Sequence, residues 1–144
     1  MVGNQKKFSL SKEELTEIAR ICRRFGISCL ILFGSKAKQE ICIKDDIDIA
    51  VLAEDTNLET DQEIKLFNAL LNLFQTDKLD LVVLNRASPL LLKEVAISGK
   101  PLYEKKRGVF DSFQIKAIKK YLDAQKFFDL QHQCVENFLT ERGL

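Results

Sequence analysis

At 144 residues with 46% of positions apolar, the chain has the length of one domain that buries a single core, and little is left over for a second. Lysine plus arginine (22) exceed aspartate plus glutamate (21) by one, so no electrostatic surplus marks a general nucleic-acid binder. The polar start, Met1 to Lys7, and the lack of any apolar run of membrane-spanning length point to a soluble, cytoplasmic protein.

Ser11 and Glu14 form a capping-box signature, and Leu15, Ile18, Ala19 and Cys22 follow at helical spacing. The spacing predicts a first helix over about Lys12 to Phe25, stopped by Gly26. Residues Ser28 to Phe33 are a continuous apolar run, too short for a buried helix, and read as a central strand ending at Gly34-Ser35. After a polar stretch with Lys36, Lys38 and Lys44, the segment Ile47 to Leu52 reads as a second strand with Asp46 and Asp48 at its entrance.

Thr60 and Glu63 repeat the capping-box pattern ahead of a second helix through Phe74. Leu79 to Leu84 is the third strand, and its one charge, Asp80, sits inside an apolar run. Ser88 as N-cap and Pro89 at the first helical position open a third helix ending near Ser98-Gly99, followed by a short strand at Pro101 to Tyr103. From about Val109 to Leu139 the pattern is helical without proline or glycine. Phe113, Ala117, Tyr121, Ala124, Phe128 and Val135 form one stripe, while Ile115, Ile118 and Leu122 point elsewhere. The expected class is α/β (α+β): a small mixed sheet flanked by helices, in one domain over 1–144 with a core of about 12–105 and a helical segment of about 109–141.

Cys22, Cys29, Cys42 and Cys134 lack paired spacing and sit among apolar residues, so they read as buried free thiols rather than zinc ligands. His132 reads as a surface residue, Tyr103 and Tyr121 as packed aromatics, and Lys105, Lys106 and Arg107 as a solvated loop.

The chemistry-bearing residues are Gly34-Ser35 and the three aspartates. Aspartates two apart on a strand share a side, and Asp46, Asp48 and Asp80 converge if their strands are neighbours. Carboxylates brought that close repel and raise one another's pKa, so a buried cluster of them implies either protonation or a bound cation, and beside a triphosphate Mg²⁺ is the suitable ion. Gly34 permits a positive φ or a close backbone approach, Ser35 offers its hydroxyl and N–H to phosphate oxygens, and Lys36 and Lys38 add charge. With two ions, Asp46 and Asp48 bridge both and Asp80 completes the coordination beside the attacking hydroxyl, which is nucleotidyl transfer rather than hydrolysis.

Leu32-Phe33-Gly34-Ser35-Lys36-Ala37-Lys38, Asp46-Ile47-Asp48-Ile49-Ala50-Val51 and Leu79-Asp80-Leu81-Val82 together resemble the nucleotidyltransferase superfamily that includes DNA polymerase beta. The likeness is to its minimal (MNT) members, over roughly residues 12–105. It implies the nucleotidyltransferase fold, ATP as substrate, two Mg²⁺ ions held by the aspartates matching Asp46, Asp48 and Asp80, and catalysis at those residues. It also implies an antitoxin that transfers AMP to a tyrosine of a HEPN-domain ribonuclease toxin. Lys38 and Gln39 stand where many relatives have arginine and glycine, which alters the phosphate loop. Two other readings stay open: an antitoxin that only covers its toxin, and transfer to a small-molecule acceptor. The apolar second side of the last helix suits either a protein partner or a homodimer.

Overall fold

The computed structural model describes residues 10–34, 46–54 and 58–143. Helix α1 (Lys12–Arg24) opens on the expected capping box. The Ser11 hydroxyl accepts from the Glu14 N–H at 3.2 Å, and the Glu14 carboxylate accepts from the Ser11 N–H at 3.4 Å. Strand β1 (Ile27–Phe33) follows, then β2 (Ile47–Ala53), helix α2 (Thr60–Phe74), strand β3 (Leu79–Val83), helix α3 (Pro89–Ser98), strand β4 (Lys100–Glu104) and helix α4 (Val109–Glu141). Each expected element is present with ends shifted by a residue or two; Leu84, for instance, leaves β3 for a single 3₁₀ turn.

The sheet order is β3-β2-β1-β4, with β1 antiparallel to both neighbours and β2 parallel to β3. The parallel pair needs a crossover, and α2 supplies it on one face of the sheet. On that face Leu30, Leu32, Ile47, Ile49 and Val51 pack with Ile18, Leu66 and Leu70 of α1 and α2. On the other, Cys29, Ile31, Phe33 and Ala50 pack under Val95 and Ala96 of α3 and Phe110, Phe113 and Ala117 of α4. Each fully buried leucine or isoleucine contributes about 1.5–3 kcal/mol through the water it sheds. A register shift between Ile27 and Cys29 moves the strand from one parity to the other, and the Ser28 hydroxyl there donates to the Leu52 carbonyl at 2.9 Å.

Two connections depend on groups the sequence does not advertise. The Asn85 side chain extends the edge of β2 by accepting from the Ala53 N–H at 2.9 Å and donating to the Ala53 carbonyl at 3.0 Å. Gly99 lets α3 end hard against β1, because a Cβ there would collide with the Val95 carbonyl oxygen and the Ile31 side chain.

Two expectations are corrected. Glu59, not Thr60, is the N-cap of α2 and makes no side-chain cap bond. Glu63 is drawn away to Arg86 at 2.5 Å, a long-range contact that competes with the local box. Cys134 is exposed, because α4 runs beyond the body of the domain, while Cys22 and Cys29 are buried free thiols and Cys42 lies outside the described residues. The last helix is a single unbroken one that the domain covers only at its start: Phe110, Phe113 and Ala117 are buried, and residues 125–143 are exposed throughout. No helix among the described residues is long and apolar enough to cross a membrane.

Candidate active site

The site lies where β1 ends and β2 and β3 begin. Phe33, Asp48 and Asp80 are register partners across the three strands, with Asp48 in the middle. Parallel strands in register put partner side chains on the same face about 4.8 Å apart at the backbone, so Asp48 and Asp80 project side by side. Strand alternation puts them on the side of Ala50 and Val82, the α3–α4 side of the sheet.

Gly34 closes β1 with φ +84, in the left-handed region that favours glycine. A Cβ at this position would stand 2.5 Å from Asp48 Oδ2 and 3.4 Å from its Cγ. The absence of a side chain at Gly34 therefore makes room for the Asp48 carboxylate, which links the turn and the first aspartate strand in one construction. Asp48 is half-buried and Asp80 exposed, so both remain within reach of a ligand arriving from solvent.

The structure brings Asp48 and Asp80 together. Asp46 is exposed one residue ahead of β2, and among the described residues no three acidic, histidine or cysteine side chains are gathered closely enough to hold one ion. Ser35, Lys36 and Lys38, expected to contact phosphates, lie outside the described residues. The donor set fits magnesium: two hard carboxylates on adjacent rigid strands, beside a turn whose backbone a phosphate can approach. Such an ion would supply charge neutralisation for a triphosphate and activation of an attacking hydroxyl.

A cleft of about 360 Å³ opens beside Gly34, between the end of β1 and the outer face of α3, with Leu90, Lys93 and Ile97 in its wall. Sequence reasoning did not single out Lys93. Its ammonium lies 4.2 Å from the centre of the Tyr121 ring on α4, Glu94 lines the same cleft with the opposite charge, and no spacing signal pairs Lys93 with Tyr121. On another face of α4, Ile115, Ile118 and Leu122 form a short apolar strip flanked by Lys119, Asp123 and Lys126, with Ile115 71% exposed.

The family model described as Polymerase beta, Nucleotidyltransferase matches residues 16–108, which span every strand and the aspartate pair. The chain belongs to this nucleotidyltransferase family. It is 32% identical over 126 residues to the protein adenylyltransferase MntA of Aphanizomenon flos-aquae (strain 2012/KM1/D3), covering 82% of this chain and 84% of that one. Among solved structures it is similar to a toxin–antitoxin crystallised with AMP-PNP, at 29% identity and a TM-score of 0.68 over 85% of this chain and 98% of that one. It is likewise similar to the structure of a tri-AMPylated Shewanella oneidensis HEPN toxin in complex with MNT antitoxin, at 28% identity and a TM-score of 0.65, covering 88% and 99%. This nucleotidyltransferase shares its overall fold with them.

Proposed function

We propose that this nucleotidyltransferase is a cytoplasmic antitoxin that transfers AMP from ATP, with two Mg²⁺ ions, to a tyrosine hydroxyl of a HEPN-domain ribonuclease toxin and thereby neutralises it. The observation that carries the reading is the in-register pair Asp48 and Asp80 set against Gly34. The likeness to an adenylyltransferase and to MNT antitoxins beside their HEPN toxin supports the choice of nucleotide and acceptor.

In this reading Asp46, Asp48 and Asp80 would hold the ions, which would neutralise the triphosphate and make the acceptor hydroxyl more acidic, and Asp80 would also receive the hydroxyl proton. Gly34 and Ser35 present backbone and hydroxyl groups to phosphate oxygens, with Lys36 and Lys38 adding positive charge. The acceptor oxygen bonds to the α-phosphorus as the bond to the β-phosphate oxygen breaks, and pyrophosphate leaves. The exposed apolar strip Ile115, Ile118 and Leu122 on α4 favours a protein acceptor, since apolar side chains are costly to leave in water.

The test is transfer of label from α-³²P-ATP with Mg²⁺ to a co-expressed HEPN partner, comparing this protein with its Asp46→Asn, Asp48→Asn variant. Label on the partner that the variant abolishes supports the reading. No label despite a tight, inhibited complex replaces it with an antitoxin that works by binding alone.

A further inference from the structure

The cleft beside Gly34 is walled by the outward face of α3, where Leu90, Glu94 and Ile97 fall at helical spacing with Lys93 and Ser98 on the flanks. This helix runs toward the aspartate end of the sheet. Gly99 at its close lies against Ile31, and Lys100, two residues after the helix, pairs with Leu32 near the end of β1. Ser98, Ile97 and Glu94 are therefore the part of the wall nearest Gly34, and Leu90 lies about 10 Å beyond Ile97 at 1.5 Å per residue.

The chemistry of this wall narrows what can lie on it. Leu90 is 59% and Ile97 62% exposed, so aliphatic carbon faces the open cleft. The Lys93 ammonium sits over the Tyr121 ring, while among the described residues nothing pairs with the Glu94 carboxylate. The helix also turns its C-terminal end, the negative end of its dipole, toward Gly34. Such a wall repels a polyphosphate and suits an uncharged group with an apolar face and hydroxyls. A carboxylate is a strong acceptor for neighbouring hydroxyls, the chemistry by which an acidic side chain binds a ribose. At about 360 Å³ the cleft has room for such a group.

We infer that this cleft is the nucleoside subsite, with Glu94 accepting from the ribose hydroxyls and Leu90 and Ile97 covering one face of the base. The inference rests on the proposed transfer from a nucleoside triphosphate. The order across the sheet assigns the cleft to the nucleotide rather than the acceptor: Gly34 closes β1, Asp48 stands in the middle, and Asp80 lies beyond it on the edge strand. With the acceptor hydroxyl beside Asp80, the β1 side of Asp48 is left for the nucleoside.

Calorimetric titration of the full chain with ATP, 2′-deoxy-ATP and tripolyphosphate, each with Mg²⁺, separates this subsite from the phosphate site. ATP is expected to bind several-fold tighter than 2′-deoxy-ATP. Glu94→Ala is expected to weaken ATP about tenfold, to erase the preference for the ribose, and to bind tripolyphosphate no less well, which also shows that the variant is folded. Leu90→Asp is expected to weaken both nucleotides alike and to spare tripolyphosphate. A Glu94→Ala protein with unchanged ATP affinity and sugar preference overturns the inference, as do variants that weaken tripolyphosphate as much as ATP. Variants that bind ATP normally but no longer modify a HEPN partner overturn it too, giving the cleft to the acceptor. If the original protein binds neither ATP nor tripolyphosphate, the proposed transfer itself falls and the inference with it, a result distinct from a subsite that fails alone.

Discussion

The Asp48 carboxylate occupies the space that a side chain at Gly34 would need, with Oδ2 only 2.5 Å from where a Cβ would stand. Two constraints meet at Gly34, the positive φ of +84 and this contact, and neither tolerates a methyl group. Gly34→Ala is therefore expected to cost about 1–3 kcal/mol of stability and to turn Asp48 away from Asp80. Thermal unfolding checks the first effect and AMP transfer the second. Activity lost well beyond the stability change is the expected result, while a variant with full transfer would show that the contact is dispensable.

Asp48 and Asp80 are like charges in direct register on neighbouring strands, an arrangement that opposes folding unless a cation offsets it. Asp80→Asn is expected to stabilise the metal-free protein by about 0.2–1 kcal/mol. The same change should remove most of the rise in melting temperature that Mg²⁺ gives the original protein, by linkage between binding and folding. Differential scanning calorimetry with Mg²⁺ and with EDTA reads both. If the two proteins gain equally from Mg²⁺, this pair does not hold the ion.

The strands were legible because β1, β2 and β3 are short apolar runs bounded by turn residues, and the aspartates stood out as charges within or beside them. Their convergence was legible only conditionally. Sequence alone does not state that β2 and β3 are neighbours, and the parallel pairing through α2 makes them so. What went astray depended on distant partners. Glu63 looks like a capping residue until Arg86, 23 positions on, takes it. Cys134 looks buried because its neighbours are apolar, but they belong to a helix that has left its domain. Lys93 and Tyr121 meet only because α3 and α4 pack together.

Burial pushes the Cys22 and Cys29 thiols up to about 12, in both cases mainly because the thiolate would lose its hydration. In the unfolded chain they titrate near their ordinary 9.0. A folded pKa above the unfolded one means stability fully present below about pH 9 and lost as pH rises toward 12, since the unfolded state sheds its protons first. Urea midpoints at pH 8 and pH 10.5 are expected to fall with rising pH, and less steeply in a Cys22→Ala, Cys29→Ala background. At pH 8, iodoacetamide followed by peptide mapping should label Cys134 and spare Cys22 and Cys29 until denaturant is added.

Glu104 ends β4 and its Oε1 accepts from the Phe110 N–H at 2.9 Å, in the first turn of α4. The helix begins after Gly108, which makes no side-chain cap of its own, so a residue from the preceding strand satisfies an N–H that would otherwise lack an intrahelical partner. A carboxylate is also favoured there by the helix dipole. Glu104→Ala is expected to lower stability by about 1 kcal/mol, and Glu104→Gln by less, since the amide oxygen can still accept. Because α4 packs on α3 over the α3–α4 side of the sheet, the loss should also loosen that helix pair. Hydrogen exchange of the amides from Phe110 to Ala117 is the measurement. Faster exchange confined to that turn and to α3 supports the cap, and an unchanged pattern would mean that Phe110 and Phe113 hold the helix without it.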